Sequence, residues 1–194
     1  QIRDFGWLER GNDMNQFALG VKQCKRINSR TGEVRATEHT MYCDSQGLWK
    51  EAKERGLDND WSDNFTAWQF KDALAADERG AVDQVSFNFW SGYSDYSVTW
   101  KYNKDTDEYL RENGGEPHKD YLTKEQLRAK NVVVQFVDEE SSVDSLKHNY
   151  YDTIGSGDGL LFQDGQVKEI EWSKSERESR TVFTDSSGSE IEFT

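Results

Sequence analysis

Residues 159–172, GLLFQDGQVKEIEW, read as a strand, a two-residue turn and a second strand. Asp164-Gly165 is the pair that tolerates two successive left-handed residues, and it is flanked by β-favouring apolar positions, so the segment predicts a tight antiparallel hairpin. Residues 180–193, RTVFTDSSGSEIEF, repeat the design with a looser loop. The sequence stops one residue later, directly after a strand pattern, which predicts that this strand's partner lies outside the chain. Upstream, VSFNF (85–89) sets Val85, Phe87 and Phe89 on one face. YSVTWKY (96–102) does the same with Tyr96, Val98, Trp100 and Tyr102, and SGYSD (91–95) is the turn between them. NKDTD (103–107) then precedes EYLR (108–111), a further hairpin signal.

Helices are fewer. In LTKEQLRAK (122–130), Thr123 and Gln126 have capping-box spacing and predict a short helix ending near Asn131, ahead of a buried strand NVVVQFV (131–137). In DSQGLWKEAKERGL (44–57), Asp44 can cap a helix over 45–55 with Leu48, Trp49 and Ala52 inward, and Gly56 suits its C-terminal end. Residues 58–81, with Trp61, Phe65, Trp68 and Ala73 at no clean period, leave room for another short helix. The expected class is α+β, an antiparallel hairpin-rich sheet with a few short helices, divided into an irregular region 1–80 and a β-rich domain 81–194.

Composition narrows the function classes. The 194 residues carry 37 acidic and 24 basic side chains, net charge −13, with no basic stripe, so nucleic acid is excluded as a partner. Seven Trp, eight Tyr and ten Phe must supply much of the core. The aromatics within 87–102 read first as core and second as a sugar-stacking platform. No apolar run approaches membrane-span length, and no signal peptide precedes Gln1, so the chain is read as cytosolic or as trimmed of a targeting segment. Cys24 and Cys43 lack CxxC spacing, leaving one disulfide or two separate thiols.

The sharpest chemical candidate is GGEPHKD (114–120), which holds the chain's one proline and one of its three histidines. His118 and Asp120 fall on the same side of an extended segment and can form an acid–base pair. Equally, Pro117 ends a strand and His118 is a structural donor. The glycines of TIGSGDGLLF (153–162) lead into a strand and bring Asp158 rather than a lysine, so a turn is expected there and not a phosphate loop. His39 and His148 have no HxH or HxxxH partner, so no metal and no cofactor is expected. Asn64-Phe65-Thr66 is a glycosylation sequon.

The blocks VTWKYNKDTDEYLRENGGEPHKD, LTKEQLRAKNVVVQFV, IGSGDGLLFQDGQVKEIEWSKS and TVFTDSSGSEIEF, in this order over about residues 85–194, resemble the C-terminal part of the YerB-like family of bacterial lipoproteins. EHTMYCDSQGLWKEAKERGL (38–57) is similar to the end of that family's N-terminal domain, with His39 and Tyr42 kept and with Glu38 and Thr40 where the family has Pro and Asn. The resemblance implies a remnant of that N-terminal domain in 1–80. It also implies a place on the outer face of the bacterial membrane, and attachment through a lipid anchor absent from this chain. The family's function is uncharacterised. A binding or scaffolding module with an envelope or protein partner is the first reading, its binding candidates being Arg111, His118, Asp120 and Asp158. A hydrolase acting on envelope material is the alternative, with His118 and Asp120 as acid–base residues and His39 as a further catalytic candidate.

Overall fold

A computed structural model of the chain describes residues 22–30, 32–57, 60 and 65–194, together with Gly6 and Met14. Trp61 and the Asn64 of the sequon lie outside the described residues. The contacts divide the chain into two units, Gln1–Phe65 and Thr66–Thr194.

In the first unit, β1 (Cys24–Arg26) and β2 (Met41–Cys43) pair antiparallel with Cys24 opposite Cys43, and the two cysteines form a disulfide. The helix α1 (Ser45–Glu54) follows at once. Its N-terminus is capped as expected, since the Asp44 carboxylate accepts from the Gln46 and Gly47 amides. Gly56 takes the left-handed position, φ 72°. Ala52 is buried and Leu48 half-buried, but Trp49 is exposed. One residue beyond Leu48, it is turned about 100° around the helix and leaves the inner stripe.

The second unit consists of strands and loops. In chain order these are β3 (Gln69–Phe70), β4 (Gln84–Phe87), β5 (Val98–Asn103), β6 (Glu108–Asn113), β7 (Glu116–Pro117) and β8 (Arg128–Ala129). They continue with β9 (Asn131–Gln135), β10 (Glu139–Glu140), β11 (Tyr150–Tyr151), β12 (Gly155–Gln163), β13 (Gln166–Lys174), β14 (Val182–Thr184) and β15 (Glu192–Phe193). A four-stranded antiparallel sheet runs β14-β13-β12-β9, and a second sheet runs β4-β5-β6-β7 with β8 also on β6. The chain is therefore β-rich and mostly antiparallel, with one α-helix among the described residues.

The expected hairpin is β12–β13, paired from Gly155↔Lys174 to Gln163↔Gln166. Asp164 and Gly165 have φ 52° and 67°. Directly paired residues share a face, so the four-stranded sheet has two distinct sides. Leu161, Ile170, Trp172 and Phe183 point to one side, where Ile191 and Phe193 complete a core. Gly157 makes room there, because a Cβ would lie 2.8 Å from the Trp172 indole nitrogen, which donates to the Phe136 carbonyl. Phe162 and Val132 point to the other side and pack on the fully buried Tyr109 of β6, with Val85, Trp100 and Tyr102 around them.

Several expectations are corrected. No helix forms over 123–131: Lys124 has φ 64°, and the Asp120 carboxylate takes the Leu122 and Thr123 amides. The chain instead bridges Lys119↔Gln126 and enters β8. Residues 66–81 hold β3 and a turn rather than a helix. The glycines of 155–159 lie within β12 instead of forming a turn. Tyr96 sits in a 3₁₀ turn, Ser94–Tyr96, ahead of β5 and not on its inward face. The last strand, β15, pairs in parallel with β3, Gln69↔Glu192 and Phe70↔Phe193. Trp68 stacks edge-on against Phe193, centroids 5.7 Å apart.

Candidate functional site

Gly114 and Gly115, φ 60° and 82°, form the turn that folds β7 back on β6, with Pro117 opposite Glu112. The pairing continues one step further, since the His118 amide donates to the Arg111 carbonyl at 2.9 Å. Register therefore sets the side chains of Arg111 and His118 side by side. Arg111 Nη1 meets His118 Nδ1. A guanidinium has only donors, so a hydrogen bond at this contact requires the Nδ1 lone pair. On its other flank Arg111 lies over the ring of Trp100, its partner in β5, at 5.8 Å. Arg111, His118 and Trp100 are all half-buried.

Asp120 does not join this group through any bond to His118. Its carboxylate accepts from Thr123 N at 2.7 Å and Leu122 N at 3.0 Å, and the Thr123 amide above all holds its pKa below the ordinary range. The two halves of the expected acid–base pair thus have separate partners. A histidine–carboxylate contact does occur at His148 and Asp144, 2.6 Å apart, but on an exposed loop where Asp144 also accepts from the Leu146 and His148 amides. His39 ends a 3₁₀ turn of the first unit, Thr37–His39. Asp158 lies on the open part of the four-stranded sheet, opposite Glu171, and lines a cavity of about 420 Å³ with Phe136, Leu160 and Glu169. Among the described residues no group of His, Cys, Asp and Glu is arranged to hold a metal ion.

The aromatics of 87–102 divide. Trp100 and Tyr102 pack on the Tyr109 core. Phe89, Trp90, Tyr93 and Tyr96, in the connection from β4 to β5, are between 45% and 63% exposed. They form a chain of ring contacts: Phe89–Trp90 at 6.1 Å, Trp90–Tyr96 at 5.2 Å and Tyr93–Tyr96 at 6.5 Å. The β6–β7 turn buttresses this loop, since Asn113 Nδ2 donates to the Asp95 carbonyl and Gly114 N to that of Ser97. The signal that separates these rings from the core is the Asn88, Ser91, Gly92, Ser94 and Asp95 interleaved with them, which are turn formers rather than strand residues.

The family model described as "Protein of unknown function (DUF3048) C-terminal domain" matches residues 85–194, more than half of the chain. The chain belongs to the DUF3048 family. Arg111, His118 and the exposed rings all fall inside the matched DUF3048 segment. The fold is similar to that in the crystal structure of YerB protein from Bacillus subtilis, with a TM-score of 0.73 and 20% sequence identity. That alignment covers 100% of this DUF3048 chain and 61% of the YerB chain. The YerB-like family indicated by the sequence blocks is thus the one found. No curated protein matches.

Proposed function

We propose that this DUF3048 chain is a binding module of the bacterial envelope, and that the rings at Phe89, Trp90, Tyr93 and Tyr96 are its contact surface. The observation that carries the reading is their exposure. Four large rings held in mutual contact on a buttressed loop stay about half exposed, and aromatic rings dominate the energetics of binding surfaces. Flat rings flanked by Ser, Asn and Asp suit the apolar faces and hydroxyls of sugars in an envelope polymer. The Cys24–Cys43 disulfide supports the outside address, because such bonds persist in oxidising compartments. Among the described residues no helix is long and apolar enough to cross a membrane, so the proposed attachment is a lipid anchor or the envelope contact itself.

The geometry favours binding over hydrolysis at 118–120. His118 Nδ1 faces a permanent cation, and the Asp120 carboxylate closes a turn. Retention of the chain on purified envelope material tests the reading. Trp90→Ala with Tyr96→Ala is expected to lower retention about tenfold while the melting temperature stays near that of the parent. Undiminished retention of the double variant, or none by the parent, overturns it.

A further inference from the structure

We propose that Arg111, backed by Trp100 and flanked by His118, is an oxyanion-binding site that takes a phosphate or carboxylate group of the polymer the aromatic loop contacts. The inference rests on the envelope reading for the source of the anion, but its geometry is independent of it. In a chain with 37 acidic and 24 basic residues, a half-buried guanidinium is expected to find an internal carboxylate. The half-buried Arg55 pairs with Glu51, Arg79 with Asp107 and Arg180 with Glu190. Arg111 has no carboxylate within ion-pair distance among the described residues. Its side-chain neighbours are the Trp100 ring and the His118 Nδ1. Glu112 alternates to the opposite face and binds Lys101 at 2.7 Å, and Glu116, opposite Asn113, makes no ion pair with Arg111.

This arrangement orients a cation without neutralising it. Trp100 lies beneath the guanidinium carbon, 5.8 Å from the ring centre, and His118 meets Nη1 from the side. The remaining N–H groups form the planar fork that matches two oxygens of a phosphate or carboxylate. The position fits the aromatic surface as well. Arg111 lies two residues from Asn113 on β6, about 6.8 Å along the strand, and Asn113 is bonded to the aromatic loop at Asp95. One ligand can therefore lay its sugar rings on Trp90 and Tyr96 and direct an anionic substituent to Arg111.

The test titrates the ¹⁵N-labelled full chain with inorganic phosphate and separately with acetate, at constant ionic strength, following the Arg111 Nε–H and the Trp100 indole resonances. Saturable shifts at both are expected with at least one anion, and the anion that binds tighter identifies phosphate or carboxylate as the source. Arg111→Gln is expected to weaken binding about tenfold. Arg111→Lys, which keeps charge and stem but lacks the fork, is expected to weaken it several-fold and serves if the glutamine variant does not fold. Linear, non-saturating shifts with both anions, or parent-like affinity in either folded variant, overturn the site. Envelope retention separates this outcome from failure of the broader reading. Parent-level retention of Arg111→Gln removes the oxyanion site and leaves the aromatic surface standing, whereas saturable anion binding by a parent chain that envelope material does not retain does the reverse.

Discussion

Asp107 shows how much a single side chain organises in the second unit. It is buried in the turn between β5 and β6 with φ 56°, and it accepts a 2.7 Å hydrogen bond from the Tyr102 hydroxyl. Arg79 Nε lies 3.8 Å away. Burial, reinforced by the adjacent carboxylate, pushes the Tyr102 phenol above its ordinary value of about 10. The unfolded phenol therefore ionises near pH 10 while the folded one keeps its proton. Above that pH ionisation stabilises the unfolded state relative to the folded one, so this contribution to stability is fully present below about pH 10 and declines as pH rises. Melting temperatures measured across the alkaline range should fall from about pH 10, and Tyr102→Phe should flatten part of that fall. Tyr109, which burial raises to about 12, accounts for a further part. At neutral pH the same variant should lose about 1–3 kcal/mol, because Asp107 stays buried without its donor.

At the scale of elements, the hairpin β12–β13 was legible because its specification is local: Asp164-Gly165 fixes the turn and the turn fixes the register. What the pair does besides turning was not legible. Gly80 N donates to the Asp164 carbonyl and Val82 N to that of Gly165, so the turn docks on the chain ahead of β4. A Cβ at Gly165 would lie 2.4 Å from the Tyr102 ring and 2.7 Å from the Gly80 carbonyl oxygen. Gly188, with φ +81°, has nothing within 4 Å of such a Cβ. Gly188→Ala should therefore lose only the left-handed penalty of about 1–2 kcal/mol, and Gly165→Ala should lose about 1–3 kcal/mol more through overpacking, as chemical denaturation of the two variants can measure. The capping box at Thr123 misled for a related reason. Local spacing is shared by helices and turns, and Asp120 supplied the competing cap. The candidate site was half legible: His118 stands out as a residue type, but its contact with Arg111 depends on the β6–β7 register. The spacing of His118 and Asp120 pointed to a bond that the turn at 120–123 pre-empts.

At the scale of the molecule, both apolar clusters found among the described residues are built from residues after Phe65, one on each side of the β12–β13 hairpin. A chain of residues 66–194 should accordingly melt cooperatively with a β-sheet circular dichroism spectrum, and a gradual, non-cooperative melt would contradict that. The ends of this unit meet in the parallel pairing of β3 with β15, where Gln163 donates to the Glu192 carbonyl and Asn131 to that of Thr194. The pairing sets a schedule for biosynthesis. Trp68 and Phe70 leave the ribosome far ahead of Phe193, the ring both of them contact. At usual translation speeds the interval is on the order of ten seconds. Local hairpins close within microseconds, so the nascent chain carries the formed β5–β6 hairpin and an unpaired β3 for most of that time. Chaperone capture or aggregation during synthesis should therefore centre on residues 68–70, whose backbone gains its strand partner only when the closing strand has been made.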